Sequence, residues 1–371
     1  MSSLDEAYQR LHGKGPEFGG DEEGNHGLTN HGPMAVEVMV RRGMDLDIHR
    51  WLDGYLNRLT DLPVPNRPIT ATNWSQALGD PRRVGDWTDY FDRLLAEAPW
   101  TSVLATWWPR LLPGIVAGST HGVIRVGHAV RTLTSGDTSA PALRELANGL
   151  AFWAARSRAL PGLALPGLAL PGLALPGLAA PEGRLSTPEA LAAVPRLAEQ
   201  SGLIAHRIGR LATLPGWSAS LAALRPPADA DAVPKRLDEL IRAGVLRYLT
   251  HGRAAPVLLV HVATAPNAVR HILPVLPKDQ WLPSFTAAWA ACAAITATYA
   301  PADPIGPDRP LTPLDRGDPA ADALHRAAQH RDEHVIKFAD TAVDVYERTG
   351  NPDALAASVF VGQLIESPGG D

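Results

Sequence analysis

The chain has 371 residues, 45 % hydrophobic and 20 % charged, and a formal net charge of −5. That is the make-up of a globular protein with a sizeable core, without the basic footprint that nucleic acid demands. Cys292 is the only cysteine, which excludes an internal disulfide framework, an iron–sulfur cluster and a thiolate zinc site and suits a reducing compartment.

The N-terminal stretch shows no charged-then-apolar signal pattern, and no uninterrupted apolar run reaches about 18 residues. A cytoplasmic protein without a membrane span is expected. Residues 1–24, polar and glycine-rich, read as an ordered arm or a loose lead-in. His26 falls in a loop, where a solvated ring is the ordinary reading. His31 stands immediately before an apolar helical run, 33–42, with Pro33 in its first turn and Gly43 at its stop.

Further helices are expected over 45–61, 85–98 and 99–116, the last holding Trp100, Trp107 and Trp108. In the next, His121, Ile124, Arg125 and His128 recur at three- and four-residue steps. His121 and His128 therefore share one face two turns apart, about 10.5 Å of rise. That is too far for both to reach one metal ion, so at most one is a direct ligand. Arg125, between them, is placed to steady an acidic group.

A helix over 140–158 precedes a fourfold LPGLA repeat (Leu160–Ala179, with the insertion taken as 160–183). Proline removes a backbone donor and glycine favours open turns, so this reads as an expanded surface loop and not a solenoid. Helices resume over 186–222, opening on the capping sequence Ser186-Thr187-Pro188-Glu189, and again over 235–251. His261 closes an apolar run ahead of a restart expected at Pro266. A helix over 280–300 is apolar on every face and should be buried. The last helices cover 319–350, with a break near Arg331, and 353–366. Val257–Val262 is the one β-branched run of note. The expectation is an all-α chain, a single large helical bundle-like domain over 1–371 with long Pro/Gly loops.

The stretch Asp332–Asp340, DEHVIKFAD, concentrates the chemistry. Val335, Phe338, Ala342 and Val345 form an apolar face, and His334 and Lys337, three apart, lie on or beside it. Burying a lysine is costly, so a buried Lys337 beside a histidine calls for a third party such as a metal ion. His31, His121 and His261 likewise sit at helix junctions or on buried faces. Ligands for one centre in a helical bundle are commonly drawn from separate helices in this way.

The segments NHGPMAVEVM, ATWWPRLLPGIVAGSTHGVIRVGHAVR, LVHVATAPNAVRHI and DEHVIKFADTA resemble the questin oxidase-like family, in order over roughly residues 25–350 without the LPGLA insertion. H-G-V-I-R-x-G-H-A and D-E-H-V-I-K are the most specific pieces. The resemblance implies a non-haem iron oxygenase that opens anthraquinone-type polyketide rings. It further implies His31, His121, His261 and His334 as nitrogen ligands of Fe(2+), with Lys337, carboxylated by carbon dioxide, giving a carbamate oxygen. Where fungal members carry a second histidine, this chain has Arg125.

The chemistry of the residues agrees with that set. A lysine must be neutral to add carbon dioxide, and burial beside cations depresses its pKa. Imidazoles with one anionic oxygen suit iron, although zinc, nickel or copper bind such donors too. Candidates to orient the ligands are His128, His330, Glu333, Asp340 and Arg125. Trp107, Trp108, Trp289 and Phe338 are candidate walls for a hydrophobic aromatic substrate that reacts with dioxygen. No dinucleotide fingerprint follows a strand, so electrons are expected from outside, from NADPH for example, or from the substrate. The competing readings are a non-enzymatic helical protein binding a hydrophobic small molecule and a metal-dependent hydrolase.

Overall fold

The computed structural model describes residues 2–17, 29–44, 46–165, 179–202, 204–315 and 317–368. The fold is predominantly helical, as the periodicity predicts. Of the ordered arm or loose lead-in expected over 1–24, residues 2–17 are ordered: Ser2 caps α1 (Ser3–Leu11) through a capping box with Asp5, and β1 (Lys14–Glu17) pairs antiparallel with β2 (Leu59–Asp61). Between them run α2 (Gly32–Arg41) and α3 (Ile48–Leu56). His26 lies outside the described residues.

Next come α4 (Trp74–Ala77), α5 (Val84–Glu97), α6 (Trp100–Leu111), α7 (His121–Thr134) and α8 (Ala140–Arg156). The middle of the LPGLA insertion, 166–178, is outside the described residues. Its ends are tied down: Leu163 bridges Ala179, Leu160 is buried, and the Trp217 indole donates to Pro161 O at 2.7 Å. The chain continues through α9 (Thr187–Ala193), α10 (Ile204–Arg210), α11 (Trp217–Ala223), α12 (Val233–His251), α13 (Pro256–Leu259) and α14 (His261–Ile272). It ends with α15 (Trp281–Tyr299), α16 (Pro319–His330), α17 (Glu333–Thr349) and α18 (Pro352–Leu364). The β-branched run Val257–Val262 therefore forms no strand and spans the end of α13, a turn at Val260 and the start of α14.

No restart occurs at Pro266; α14 runs through it. Proline at that point leaves the carbonyl four residues back, Val262 O, without its helical donor, and the Cys292 thiol from α15 donates to it at 3.2 Å. Pro109 within α6 poses the same problem at Ala105 O, and Gln280 Nε2 fills it at 2.8 Å. Both helices stay continuous because a neighbour satisfies the orphaned acceptor.

One continuous apolar core takes side chains from Leu4 to Val361. Helix α15 is buried along nearly its whole length, as its uniform apolarity predicts. Glycine sets how closely the central helices cross. A Cβ on Gly127 of α7 would stand 2.6 Å from Ala268 Cβ and 2.8 Å from Ala268 Cα on α14. One on Gly244 of α12 would stand 2.6 Å from Val262 O. These contacts seat α14 against both α7 and α12. Gly127→Ala is therefore expected to destabilise the fold by about 1–3 kcal/mol, read as a lower urea midpoint with unchanged m-value.

Candidate metal centre

Four histidine rings from four helix starts meet in the interior. His31 immediately precedes α2, with its backbone N–H donating to Tyr55 Oη at 2.5 Å. Gly32 lets the turn pass, since a Cβ there would fall 2.6 Å from the Tyr55 ring. His121 opens α7 after Gly118, Ser119 and Thr120, all at positive φ (51°, 58° and 67°). Ser and Thr rarely adopt that conformation, and each such residue costs about 1–3 kcal/mol. The turn folds the chain so that Gly118 O accepts from both the backbone N–H (3.2 Å) and the ring Nδ1 of His121. His261 opens α14 and His334 lies in the first turn of α17. The break before α17 is set by Arg331 at φ 68° and by Asp332, whose carboxylate accepts from His334 N at 2.8 Å and Val335 N at 3.1 Å.

His31 Nε2 is 2.8 Å from His121 Nε2, which is 3.1 Å from His261 Nε2. The ring centroids of His31 and His334 are 4.5 Å apart, and His31, His121 and His334 each present a ring nitrogen within 4.8 Å of the others. All four rings are buried.

What faces the other nitrogen of each ring decides the chemistry. His31 Nδ1 meets Glu17 Oε1 at 2.7 Å, His121 Nδ1 meets Gly118 O, and His261 Nδ1 meets Leu258 O at 3.1 Å. A carboxylate and two carbonyls only accept, so each Nδ1 carries the proton and each Nε2 presents a lone pair. Nor does a second proton relieve the crowding. Burial first, then mutual repulsion with Lys337 and neighbouring imidazoles, holds His31, His121 and His261 well below the ordinary histidine range. The His121 Nε2 lone pair thus faces those of His31 and His261 at hydrogen-bond distance with no donor between them, and His31, His121 and His334 are the three whose ring nitrogens lie within 4.8 Å of one another. A cation answers that arrangement. Two nitrogens on adjacent octahedral positions, each about 2.1 Å from one ion, stand about 3 Å apart, close to the 2.8 and 3.1 Å observed. Both ring nitrogens of His334 and Nζ of Lys337 are buried without a hydrogen-bond partner, so further donor atoms stand open. The buried group of His31, His121 and His334 could hold a metal ion.

Lys337 is 3 % exposed. Burial lowers its pKa to about 8, against the opposing pull of Glu333, Asp332 and Glu17. Near pH 8 about half of it is neutral, against under about 1 % for an ordinary lysine.

Of the residues expected to orient the ligands, Glu333 is at the cluster, 3.8 Å from His31 Nδ1 and 2.8 Å from Arg58. His128 bonds Glu37 Oε2 at 2.8 Å and stands apart from the four rings, as the two-turn spacing requires. Arg125 holds Glu145 in a buried pair at 2.5 and 2.8 Å, the steadying part expected of it. His330 faces Ile365 O at 2.9 Å and is not brought to the cluster. Asp340 is bound by Arg41, Arg42 (2.7 Å) and Arg131 (2.9 Å). The expected pocket walls are core packing. Trp108 donates to Ser284 Oγ at 2.8 Å and Trp289 to Leu221 O at 3.0 Å. Trp107 sits among Trp74, Trp87, Tyr90 and Phe91, and Phe338 lies against Tyr248.

The sequence reading missed Glu17, Tyr55 and Arg58. Glu17 accepts from Tyr55 Oη at 2.6 Å and pairs with Arg58 at 3.4 Å. These three come together only when the β1–β2 ribbon forms, and a glutamate in a polar, glycine-rich stretch gives no signal of that.

Beyond Lys337 along α17 lies a second buried charge network. Glu37 of α2 is gripped by Arg131 and His128, and Arg131 also holds Asp340. Burial alone raises the Glu37 carboxyl, but Arg131 and the His128 hydrogen bond hold it down at about 2. A carboxylate depressed on folding contributes stability that is present above its ordinary value of 4.5 and lost as pH falls toward about 2. The unfolding free energy is expected to drop across that interval. Glu37→Gln should be less stable at neutral pH and show a flatter acid limb in urea titrations run from pH 6 to 2.

No protein-family model matches this chain, and no curated protein matches it.

Proposed function

We propose that this protein is a metal-dependent oxygenase, with iron as the metal, acting on a polycyclic aromatic or quinone ring, in line with its resemblance to the questin oxidase-like family. In this reading His31, His121, His261 and His334 bind the metal through nitrogen. Lys337 completes the set after its neutral amine adds carbon dioxide, forming a C–N bond and releasing one proton to leave an anionic carbamate. The observation that carries the reading is the buried group of His31, His121 and His334, with the Nε2 lone pairs of His31 and His261 set against that of His121 by acceptors on the opposite nitrogens. The partnerless Lys337 amine, with its pKa near 8, supports the carbamate.

Bound iron would supply activation of dioxygen. The chain supplies the rest. Glu17 holds the Nδ1 proton of His31 and, with Glu333 nearby, makes that imidazole a more electron-rich donor. Arg58 balances the two carboxylates. The buried shell keeps bulk water from the reacting centre. In this reading the flat apolar substrate binds in a cavity of about 230 Å³ bordered by Val116, Ala117 and Gly118, the segment on which His121 leans, although none of the four histidines lines it. A neighbouring cavity of about 160 Å³ shares Pro81 and Arg156 with it and adds Phe152 and Val84. Reducing equivalents come from an external donor such as NADPH or from the substrate itself.

Protein purified without chelator is expected to contain near-stoichiometric iron or a surrogate transition metal. His334→Ala and Lys337→Ala should lose it while keeping wild-type circular dichroism, and short carboxylates such as acetate should restore binding to Lys337→Ala. Oxygen uptake with a polycyclic phenol should follow metal content. A metal-free wild type and unaltered variants would overturn the metal reading; full metal content with hydrolysis and no oxygen uptake would overturn the oxygenase.

A further inference from the structure

Helix α3 carries two aromatic residues one turn apart, Trp51 and Tyr55, at the spacing that puts them on one face. Their rings are stacked, with centroids 4.8 Å apart and planes 11° from parallel. The inner end of this pair reaches the histidine cluster. Tyr55 Oη accepts from the His31 backbone N–H at 2.5 Å, which directs its own proton to Glu17 Oε1 at 2.6 Å and, more loosely, to Asn30 Oδ1 at 3.3 Å. Glu17 Oε1 in turn accepts from His31 Nδ1 at 2.7 Å. Among the described residues no other aromatic side chain is hydrogen-bonded to a histidine of the cluster or to Glu17.

The outer end borders solvent. Trp51 and Tyr55 line a surface groove of about 280 Å³ with Arg58 and Arg331. Trp51 is 9 % exposed and Tyr55 3 %, so the indole is the more accessible of the two from the groove. Its N–H donates to Arg331 O at 2.9 Å, on the turn that precedes the helix of His334. The Arg58 guanidinium stands 5.1 Å from the centre of the Tyr55 ring. A cation there opposes positive charge on the ring, so Tyr55 gives up an electron readily only if its hydroxyl proton leaves too. Glu17 is in place to take that proton. The four histidine rings are buried, and this stacked pair is a short aromatic connection between them and the surface.

We propose that Trp51 and Tyr55 form a one-electron relay between this groove and His31, serving the metal centre of the reading above, on which its function rests. In each passage Tyr55 gives one electron to the oxidised centre and its hydroxyl proton to Glu17, becoming a neutral radical. Trp51 then gives one electron to that radical, and Glu17 returns the proton to Tyr55 Oη. The oxidised indole is refilled with one electron by a soluble one-electron reductant of the ascorbate class in the groove. The net change is one electron moved from donor to centre, with the Tyr55 O–H bond restored. The relay reduces the centre without opening the buried shell, and drains an oxidising equivalent that meets no substrate.

The test is flash oxidation of the full chain as purified, with a ruthenium tris-bipyridine sensitiser and persulfate as the electron acceptor, metal content being measured on the same sample. Radicals are followed by transient absorption and by electron paramagnetic resonance after freeze-quenching. In the wild type a tryptophan radical should give way to a neutral tyrosyl radical, and ascorbate should quench both. Tyr55→Phe should lose that tyrosyl signal, and Trp51→Phe should form it several-fold more slowly. Glu17→Gln should leave the tryptophan radical long-lived, an effect that a purely structural role for Glu17 does not produce. In samples that hold iron, reduction of its ferric form by ascorbate should slow several-fold in Trp51→Phe at unchanged iron content. The radical measurement needs no metal, so a metal-free sample showing the transfer supports the relay and counts against the metal centre alone. Absence of a tyrosyl radical in the wild type would overturn the relay. So would an undiminished signal in Tyr55→Phe or, should that variant not fold, a wild-type rate in Trp51→Phe.

Discussion

The structure turns on a conflict placed at its centre: the His121 lone pair set against those of His31 and His261 inside a buried core. Lone pairs repel, and here neither tautomer exchange nor protonation removes them. Glu17, Gly118 O and Leu258 O take the Nδ1 protons, and burial penalises a second charge on His31, His121 and His261. Each acceptor lies in a different part of the chain, on the β1–β2 ribbon, on the left-handed turn ahead of α7, and on α13. The tautomers are thereby set in a form that could take a cation, and Ser119 and Thr120 at positive φ help to place the His121 ring.

A second layer keeps the arrangement from relaxing. The network of Glu37, Arg131, Asp340, Arg41 and Arg42 pins α17 to α2 and α7, the helices that carry Lys337 and His334, His31 and His121. Buried ion pairs add little to stability when compared with apolar packing, but removing one partner is severe, so such a network fixes relative position. Gly127 and Gly244 do the same for α14 by steric means, allowing backbone approaches that a methyl group would prevent. Among the described residues no helix is long and apolar enough to cross a membrane; the hydrophobic content of α15 goes instead into the centre of the fold.

Two prolines show why local rules alone misplace helix ends. Pro266 reads as a restart because it removes a donor, yet α14 continues, since the Cys292 thiol takes over the exposed Val262 carbonyl. The lone cysteine is thus explained by packing chemistry. The same reasoning covers Pro109 and Gln280. The tryptophans misled in the opposite sense: aromatic residues suggested pocket walls, but each indole N–H of Trp108 and Trp289 finds an acceptor in the core, as buried indoles generally do.

The sequence by itself determined the helical class, most helix limits, and the four histidines and one lysine that turn out to be neighbours. Those features are local: apolar periodicity, capping residues and histidines at element junctions are all encoded within a few positions. It also settled that His121 and His128 could not share a centre, because helical rise is a fixed distance. Only the tertiary structure decided that Nε2 and not Nδ1 of His31, His121 and His261 faces inward, that Glu17 and Arg58 belong beside His31, and that His330 stands apart. Each of these depends on atoms far apart in the chain brought within a few ångströms by packing, and no spacing rule carries that information.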